Sequence, residues 1–336
     1  MSKDLALLES EANQVFEIPQ PSNPKDELIQ KLMNREITLS YSSLKNIDSP
    51  VNFLRYFLEQ KKKSDSMRLG SLIDCLVLTP ESFDKNFSVV ASSPTTDLQE
   101  SICNAVIDKI KSSKDFEITE ESVQLVFNDV YSNFYKKGTA DSLYHLVSYV
   151  IALSSKKEVV SQDLYDKAKT IADNLLEQED IVSELGAIEE VQKKIEFEFM
   201  GWKFKCFLDT FSPELFHDLK FASDCSPDKF EYDVRKFKYD VQFGLYDIAL
   251  EVTGLGRLPK FKFITYDSNF NYSIIEVDRS YIHYGRKKVE FLINCLNKMI
   301  YEGGFNKSYN YFRSKTIIYK PNWAPGFDFE IFEEQE

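Results

Sequence analysis

The sequence is poor in the residues from which many familiar sites are built. Only three histidines, His145, His217 and His283, occur in 336 residues. With no GxSxG elbow either, a serine or cysteine hydrolase triad has little support. The five cysteines, Cys75, Cys103, Cys206, Cys225 and Cys295, are odd in number, scattered and never arranged as CxxC. That spacing speaks against a disulfide scaffold, a structural zinc site and a cysteine-ligated iron–sulfur cluster, and it predicts reduced, mostly buried thiols. Glycine is scarce too. None of the 11 glycines belongs to a GxxxxGK[ST] loop, and Gly254-Leu255-Gly256 lacks the third glycine of a dinucleotide-binding turn. Helicase or ATP dependence would therefore have to come from a partner. No apolar run approaches the ~20 residues that span a bilayer, and the first thirty residues carry charge throughout with no signal-peptide core. A soluble, cytoplasmic protein with no membrane partner is the expectation.

What the chain does have is ample core material, with 43% hydrophobic and 28% charged residues, enough for one large domain or two ordinary ones. The net charge of −13 gives no global attraction to a polyanion, so a nucleic-acid site would have to be a local basic surface. The candidates are Lys61–Lys63, Arg68, Arg235, Lys236, Lys238 and Arg286–Lys288.

Residues 1–36 are acidic and weakly periodic and suggest a flexible arm. A serine cap before Tyr41 and the Ser49-Pro50 pair each open a helix, the second running to about Gln60. Leu69, Leu72, Ile73, Leu76 and Val77 form one face of a helix over 67–78. Residues 95–185 lack strand-like alternation and suggest a helical elaboration. From Lys193 the pattern changes to period two: Ile195, Phe197 and Phe199, then a turn at Met200-Gly201, then Phe204, Cys206 and Leu208. A strand over 215–221 follows, then a long helix from about 227 to 252, a strand pair at 260–266 and 272–277, and a helix over 279–302. Residues 327–336 form an acidic tail.

Asp209 stands near the end of one strand, and Asp218-Leu219-Lys220 occupies the next. Residues i and i+2 of a strand share a face, so Asp218 and Lys220 project together, with Leu219 turned away. Two carboxylates and the Leu219 carbonyl make an oxygen cage of the kind Mg²⁺ or Mn²⁺ prefers, with Lys220 placed to orient a water. Spaced i and i+4 on the following helix, Gln242 and Tyr246 share a face that can bond phosphate or orient the carboxylates. His217 points to the opposite side of its strand from Asp218.

These motifs, in this order, resemble a known family. Leu69–Phe83, Gly201–Asp209, Asp218–Lys220 and Tyr239–Tyr246, together with Leu39–Leu44, Ser49-Pro50 and Lys320–Ala324, are similar to phage-type exodeoxyribonuclease VIII, the RecE-like branch of the PD-(D/E)XK nucleases. The similarity runs from about residue 37 to 326. It implies an α/β fold, a restriction-endonuclease-like core of mixed sheet flanked by helices, forming one nuclease domain over 37–326 with the catalytic hairpin, DxK strand and QxxxY helix in 190–252. It also implies a Mg²⁺-dependent (or Mn²⁺-dependent) exonuclease acting on double-stranded DNA ends, a homo-oligomer, and a single-strand annealing partner in phage recombination. If phage-encoded, the protein would work in the host cytoplasm.

Carried over position by position, the resemblance makes Asp209 and Asp218 metal ligands and Lys220 the water-orienting lysine. Gln242 and Tyr246 become the motif flanking DNA, Glu190 or Glu189 the supporting glutamate, and Lys205 a phosphate contact. The family usually places a metal-binding histidine where this sequence has Asp74. An oxygen ligand there suits Mg²⁺ at least as well. Two other readings stay open: an endonuclease with the same site, and a noncatalytic binding module on a nuclease scaffold.

Overall fold

The computed structural model describes residues 23–59, 63–113, 115–155, 157–257 and 259–312. Lys61, Lys62, the Lys320–Ala324 motif, the acidic tail and most of the expected arm lie outside these residues. By its internal contacts the chain divides into two units, residues 61–289 and residues 1–60 with 290–336.

In the unit of chain termini, helix α1 (Pro24–Met33) starts at Asn23, whose side chain caps the Lys25 amide, and buries Leu28 and Leu32. This part of the expected arm is thus ordered, because its two leucines sit one helical turn apart on a single face. Strand β1 (Thr38–Leu39) and helices α2 (Tyr41–Leu44) and α3 (Pro50–Leu58) follow. Ser49 accepts from the Asn52 amide, and Pro50 takes the first helical position, where no donor is needed. The Asn52 side chain meets the Tyr309 hydroxyl at 2.9 Å.

The larger unit opens with α4 (Asp65–Leu78), capped by Ser64, a short helix α5 (Phe83–Asn86) and strand β2 (Phe87–Val90). Helices α6 (Asp97–Ser112), α7 (Glu120–Phe134) and α8 (Val147–Ser154) pack around Val106, Phe127, Leu146 and Val150. A 3₁₀ segment at Ala140–Leu146 precedes α8. The reading of 95–185 as wholly helical is corrected by strand β3 (Glu158–Ser161), which pairs in parallel with β2. Four residues are too few for periodicity to separate strand from helix. Helices α9 (Gln162–Leu176) and α10 (Glu179–Gly186) complete this part.

Strands β4 (Glu190–Phe199) and β5 (Trp202–Phe211) form the expected antiparallel hairpin. Its turn holds Met200 at φ 49° and Gly201 at φ 76°, the pair of positive φ values that matches strand twist in a two-residue loop. Strand β6 (Leu215–Phe221) pairs in parallel with β7 (Lys260–Tyr266), and β7 pairs antiparallel with β8 (Tyr272–Glu276). The fold is mixed α/β, as expected.

The single long helix expected over 227–252 is two, α11 (Pro227–Phe237) and α12 (Tyr239–Val252), broken at Lys238 in the left-handed region (φ 60°, ψ 41°). Every residue of α12 from Asp240 to Leu250 is buried. It crosses helix α13 (Arg279–Tyr301) at Gly244 and Gly285, where a Cβ on Gly244 would lie 2.2 Å from the Gly285 carbonyl carbon. Beside this crossing the fully buried Asp247 bonds Arg257, Arg279 and Arg286 at 3.2, 3.1 and 2.8 Å, and Lys288 meets Asp240 at 2.5 Å. Arg286 and Lys288, counted in sequence among DNA-channel candidates, are committed to these internal carboxylates.

Candidate active site

Strand geometry puts Asp218 and Lys220 on one face of β6, and their side chains form an ion pair. Asp218 is fully buried. Its other oxygen, Oδ1, accepts from Gln242 Nε2 at 3.0 Å, and the same amide donates to the Tyr246 hydroxyl at 2.6 Å. The i, i+4 spacing on α12 thus delivers both polar side chains to one place. Gln242 Oε1 stays buried with no hydrogen-bond partner.

Asp209, near the end of β5, reaches the same strand differently. Its Oδ2 accepts the Leu219 backbone N–H at 3.0 Å, and Leu219 itself points into the core at 3% exposure. Across the hairpin, Gln192 stands opposite Asp209 with φ 50°, and the ladder skips this one pair between Val191–Thr210 and Lys193–Leu208. Asp74 arrives from α4, half-buried, where its Oδ1 accepts from the Tyr266 hydroxyl at 3.0 Å.

The electrostatics tie these groups together. Burial, then the charges of Asp218 and Asp74, push the Asp209 carboxyl well above the usual range, against the pull of Lys220 and the Leu219 amide. Burial likewise raises Asp218, with Lys220 opposing. Asp74 is pushed up to about 7 by burial and by Asp218, with Lys220 and Tyr266 opposing. Although burial works against the Lys220 charge, Asp218 and Asp209 hold its ammonium above the ordinary lysine range. The Lys220 Nζ lies 5.2 Å from the centroid of the Tyr239 ring, a cation–π contact.

Among the described residues no three His, Cys, Asp or Glu side chains stand together as a ready metal cage. The fit to a cation rests on donor chemistry. All the converging donors are oxygens, three carboxylates and the unpartnered Gln242 Oε1, and carboxylates that raise one another's pKa gain from a cation placed among them. Such a set suits a hard divalent ion, which Asp209, Asp218 and Asp74 would hold.

Asp74 and Asp209 also line a cavity of ≈ 510 Å³ with Glu158, Lys63, Gln192 and Phe207. Lys63 is held by Glu158 at 2.5 Å.

Several expected site residues lie elsewhere. Glu190 is exposed at the start of β4, opposite Phe211, and pairs with Lys193 at 2.6 Å; Glu189 is exposed as well and bonds the Phe211 carbonyl only through its backbone amide. The glutamate beside the catalytic-type strands is Glu184 of α10, bonded to His217 at 2.8 Å and Lys262 at 2.5 Å. Lys205 is exposed opposite Glu196 on the hairpin. Arg68 lines a separate cavity of ≈ 500 Å³ with Lys167, Asp65 and Glu100. Arg235 is exposed and pairs with Glu231 at 3.5 Å, while Lys236 Nζ sits 5.0 Å from the Phe237 ring centroid. Tyr266 and Glu184 were not legible in sequence. An aromatic closing an apolar strand and one acid among many on a helix carry no spacing signal.

Residues 147–305 match a family model described as a PDDEXK-like domain of unknown function (DUF3799). That stretch is thus similar to a PDDEXK-like domain, in line with the resemblance read from the motifs. A solved structure from Eubacterium rectale, provisionally described as an exonuclease, is similar at 15% identity and TM-score 0.48, over 89% of this chain and 96% of that one. A phage-related exonuclease from Haemophilus somnus 129PT is similar at 13% identity and TM-score 0.26, over 80% and 96%. No curated protein matched the sequence. Among the described residues no helix is long and apolar enough to cross a membrane, and all five cysteines are buried and unpaired with one another.

Proposed function

We propose that this chain is a metal-dependent deoxyribonuclease that hydrolyses DNA phosphodiesters from duplex ends. The observation that carries the reading is the convergence of Asp209, Asp218 and Lys220 from separate strand positions with Gln242 and Tyr246 from α12, inside a PDDEXK-like domain. Asp209, Asp218 and Asp74, with the Leu219 carbonyl, are the groups that would hold a Mg²⁺ or Mn²⁺ ion. Bound there, the ion supplies Lewis-acid polarisation of the phosphodiester and a more acidic water. Lys220 holds a positive charge at the same point and orients the attacking water. Gln242 fixes the Asp218 carboxylate by donating to Oδ1, and Tyr246 steadies the Gln242 amide. Lys236, Arg235, Lys205 and Arg68 are proposed phosphate contacts outside the carboxylate cluster. The resemblance further supports a role in phage recombination, as a homo-oligomer working with a single-strand annealing protein.

The test is cleavage of linear and closed circular duplex DNA in Mg²⁺, Mn²⁺ and EDTA. Linear DNA should be degraded only with metal, and circles should persist. Cutting of circles would make the enzyme an endonuclease with the same site. Absence of cleavage in every condition would leave a noncatalytic binding module. Asp209→Ala and Asp218→Ala should each abolish cleavage. Asp209→Ala should leave thermal stability equal or raised, since it removes one of the mutually repelling carboxylates, whereas Asp218→Ala should lower it, because Lys220 and the Gln242 amide lose their buried partner.

A further inference from the structure

The strands that present Asp209 and Asp218 belong to different ladders: β5 pairs with β4, and β6 pairs with β7. Beyond the turn, where Ser212 bonds Leu215 through backbone and hydroxyl, side chains of β5 make up the connection. Residues 217 and 219, two apart on β6, turn their N–H groups to the same edge. Asp209 Oδ2 accepts from Leu219 at 3.0 Å, and Thr210 Oγ1 accepts from His217 at 2.8 Å. The two carboxylates are therefore spaced by two bonds, one made by Asp209 itself and one by its neighbour.

Thr210 and His217 are both fully buried and lie on the face opposite the carboxylates, because adjacent strand residues alternate. The Thr210 hydroxyl also lies 3.3 Å from both the His217 carbonyl oxygen and Nδ1. His217 Nε2 is anchored at 2.8 Å to Glu184 Oε2, whose other oxygen holds Lys262 Nζ at 2.5 Å. A chain of polar contacts thus runs Lys262, Glu184, His217, Thr210 across β7, α10, β6 and β5. A carboxylate that turns toward a cation weakens its own grip on a backbone amide. An uncharged hydroxyl beside it does not.

We infer that Thr210, with His217 anchored by Glu184, is the positioning device that fixes the separation of Asp209 and Asp218. The inference rests on the nuclease reading above for what that separation serves.

Thr210→Val keeps the shape and removes the hydroxyl, whereas Thr210→Ser keeps the hydroxyl. Mn²⁺ affinity by calorimetry, kcat and KM on linear duplex, and the melting temperature are measured for both. Thr210→Val should bind Mn²⁺ about tenfold more weakly and lose kcat about tenfold with KM for DNA unchanged, the scale on which supporting residues act on a metal site. Thr210→Ser should restore both. Glu184→Ala, on the half-exposed rim, gives a second route if Thr210→Val does not fold, and should show the same kcat loss at constant KM. Wild-type Mn²⁺ affinity and kcat in Thr210→Val, or in Glu184→Ala where Thr210→Val does not fold, would overturn the inference. So would equal impairment of the Val and Ser variants, which would mark a packing effect. A wild-type protein that neither binds Mn²⁺ nor cleaves would sink the nuclease reading itself, and the positioning role with it.

Discussion

Asp218 and Gln242, 24 residues apart in sequence, meet in a fully buried hydrogen bond of 3.0 Å between Gln242 Nε2 and Asp218 Oδ1. The bond sets which way the carboxylate faces, and it requires α12 to lie against β6. A side-chain amide suits this position: it donates without adding a second positive charge to that of Lys220.

Gln242→Ala should therefore do two things at once. It leaves a buried carboxylate oxygen without its donor, which costs about 1–3 kcal/mol, read as a lower urea midpoint. It also frees the carboxylate to rotate, so turnover should fall while DNA affinity, measured in Ca²⁺, stays near wild type. Unchanged turnover would show that Lys220 alone orients Asp218.

The Gly244–Gly285 crossing is what allows α12 to sit so deep. A Cβ on Gly244 would lie within 2.5 Å of three backbone atoms of α13, and one on Gly285 would lie 2.1 Å from the Asp240 carbonyl. Backbone cannot rotate aside as a side chain can, so Gly244→Ala should exceed the usual 1–3 kcal/mol of overpacking. The check is equilibrium denaturation, or loss of soluble protein on expression. An alanine variant of wild-type stability would mean that the helices are spaced further apart in solution.

Asp74 gives a pH signature. Its carboxyl is raised from 3.8 to about 7, chiefly by burial, so between these values the unfolded chain releases a proton that the folded chain keeps. Stability from this group is full below about pH 4 and is lost progressively as pH rises toward 7. Asp74→Asn removes the titration. The difference in unfolding free energy between variant and wild type should therefore grow in favour of the variant from pH 4 to pH 7 and then level off. Asp209 and Asp218 titrate in both proteins and largely cancel in that difference. A constant difference across this range would place the Asp74 pKa near its ordinary value.

How much of this could be read from sequence follows from the range of the signals. Strand periodicity of two put Asp218 and Lys220 on one face and His217 on the other, and helical spacing paired Gln242 with Tyr246. All of these relations are local. The break at Lys238 was not legible, because the residues around it continue a helical polar pattern and a non-glycine left-handed residue leaves no mark in composition. Long-range register failed in the same way: Glu190 and Glu184 are both acids upstream of the hairpin, and only the packing of α10 against β6 separates them. The splice between β5 and β6 uses Thr210, a residue that any strand would accept.

The position where this sequence departs from the family it resembles is the sharpest test of the site. Asp74 Oδ1 is already bonded to Tyr266, so a role at a metal falls to its other oxygen. If Asp74 is a ligand, Asp74→Ala should weaken divalent-ion binding and activity together. Asp74→His should restore activity with a shift in preference from Mg²⁺ toward Mn²⁺, which tolerates imidazole better. Tyr266→Phe separates the ligand from its support. It removes the bond that orients Asp74 but leaves the carboxylate, so the concentration of Mg²⁺ needed for half activity should rise about tenfold while activity at saturating metal recovers. If Asp74 serves only to satisfy the buried Tyr266 hydroxyl, the outcome reverses. Activity-versus-Mg²⁺ curves would then coincide for wild type, Asp74→Ala, Asp74→His and Tyr266→Phe, and only stability would change, by about 1–3 kcal/mol in Asp74→Ala, where the tyrosine hydroxyl is left unpaired.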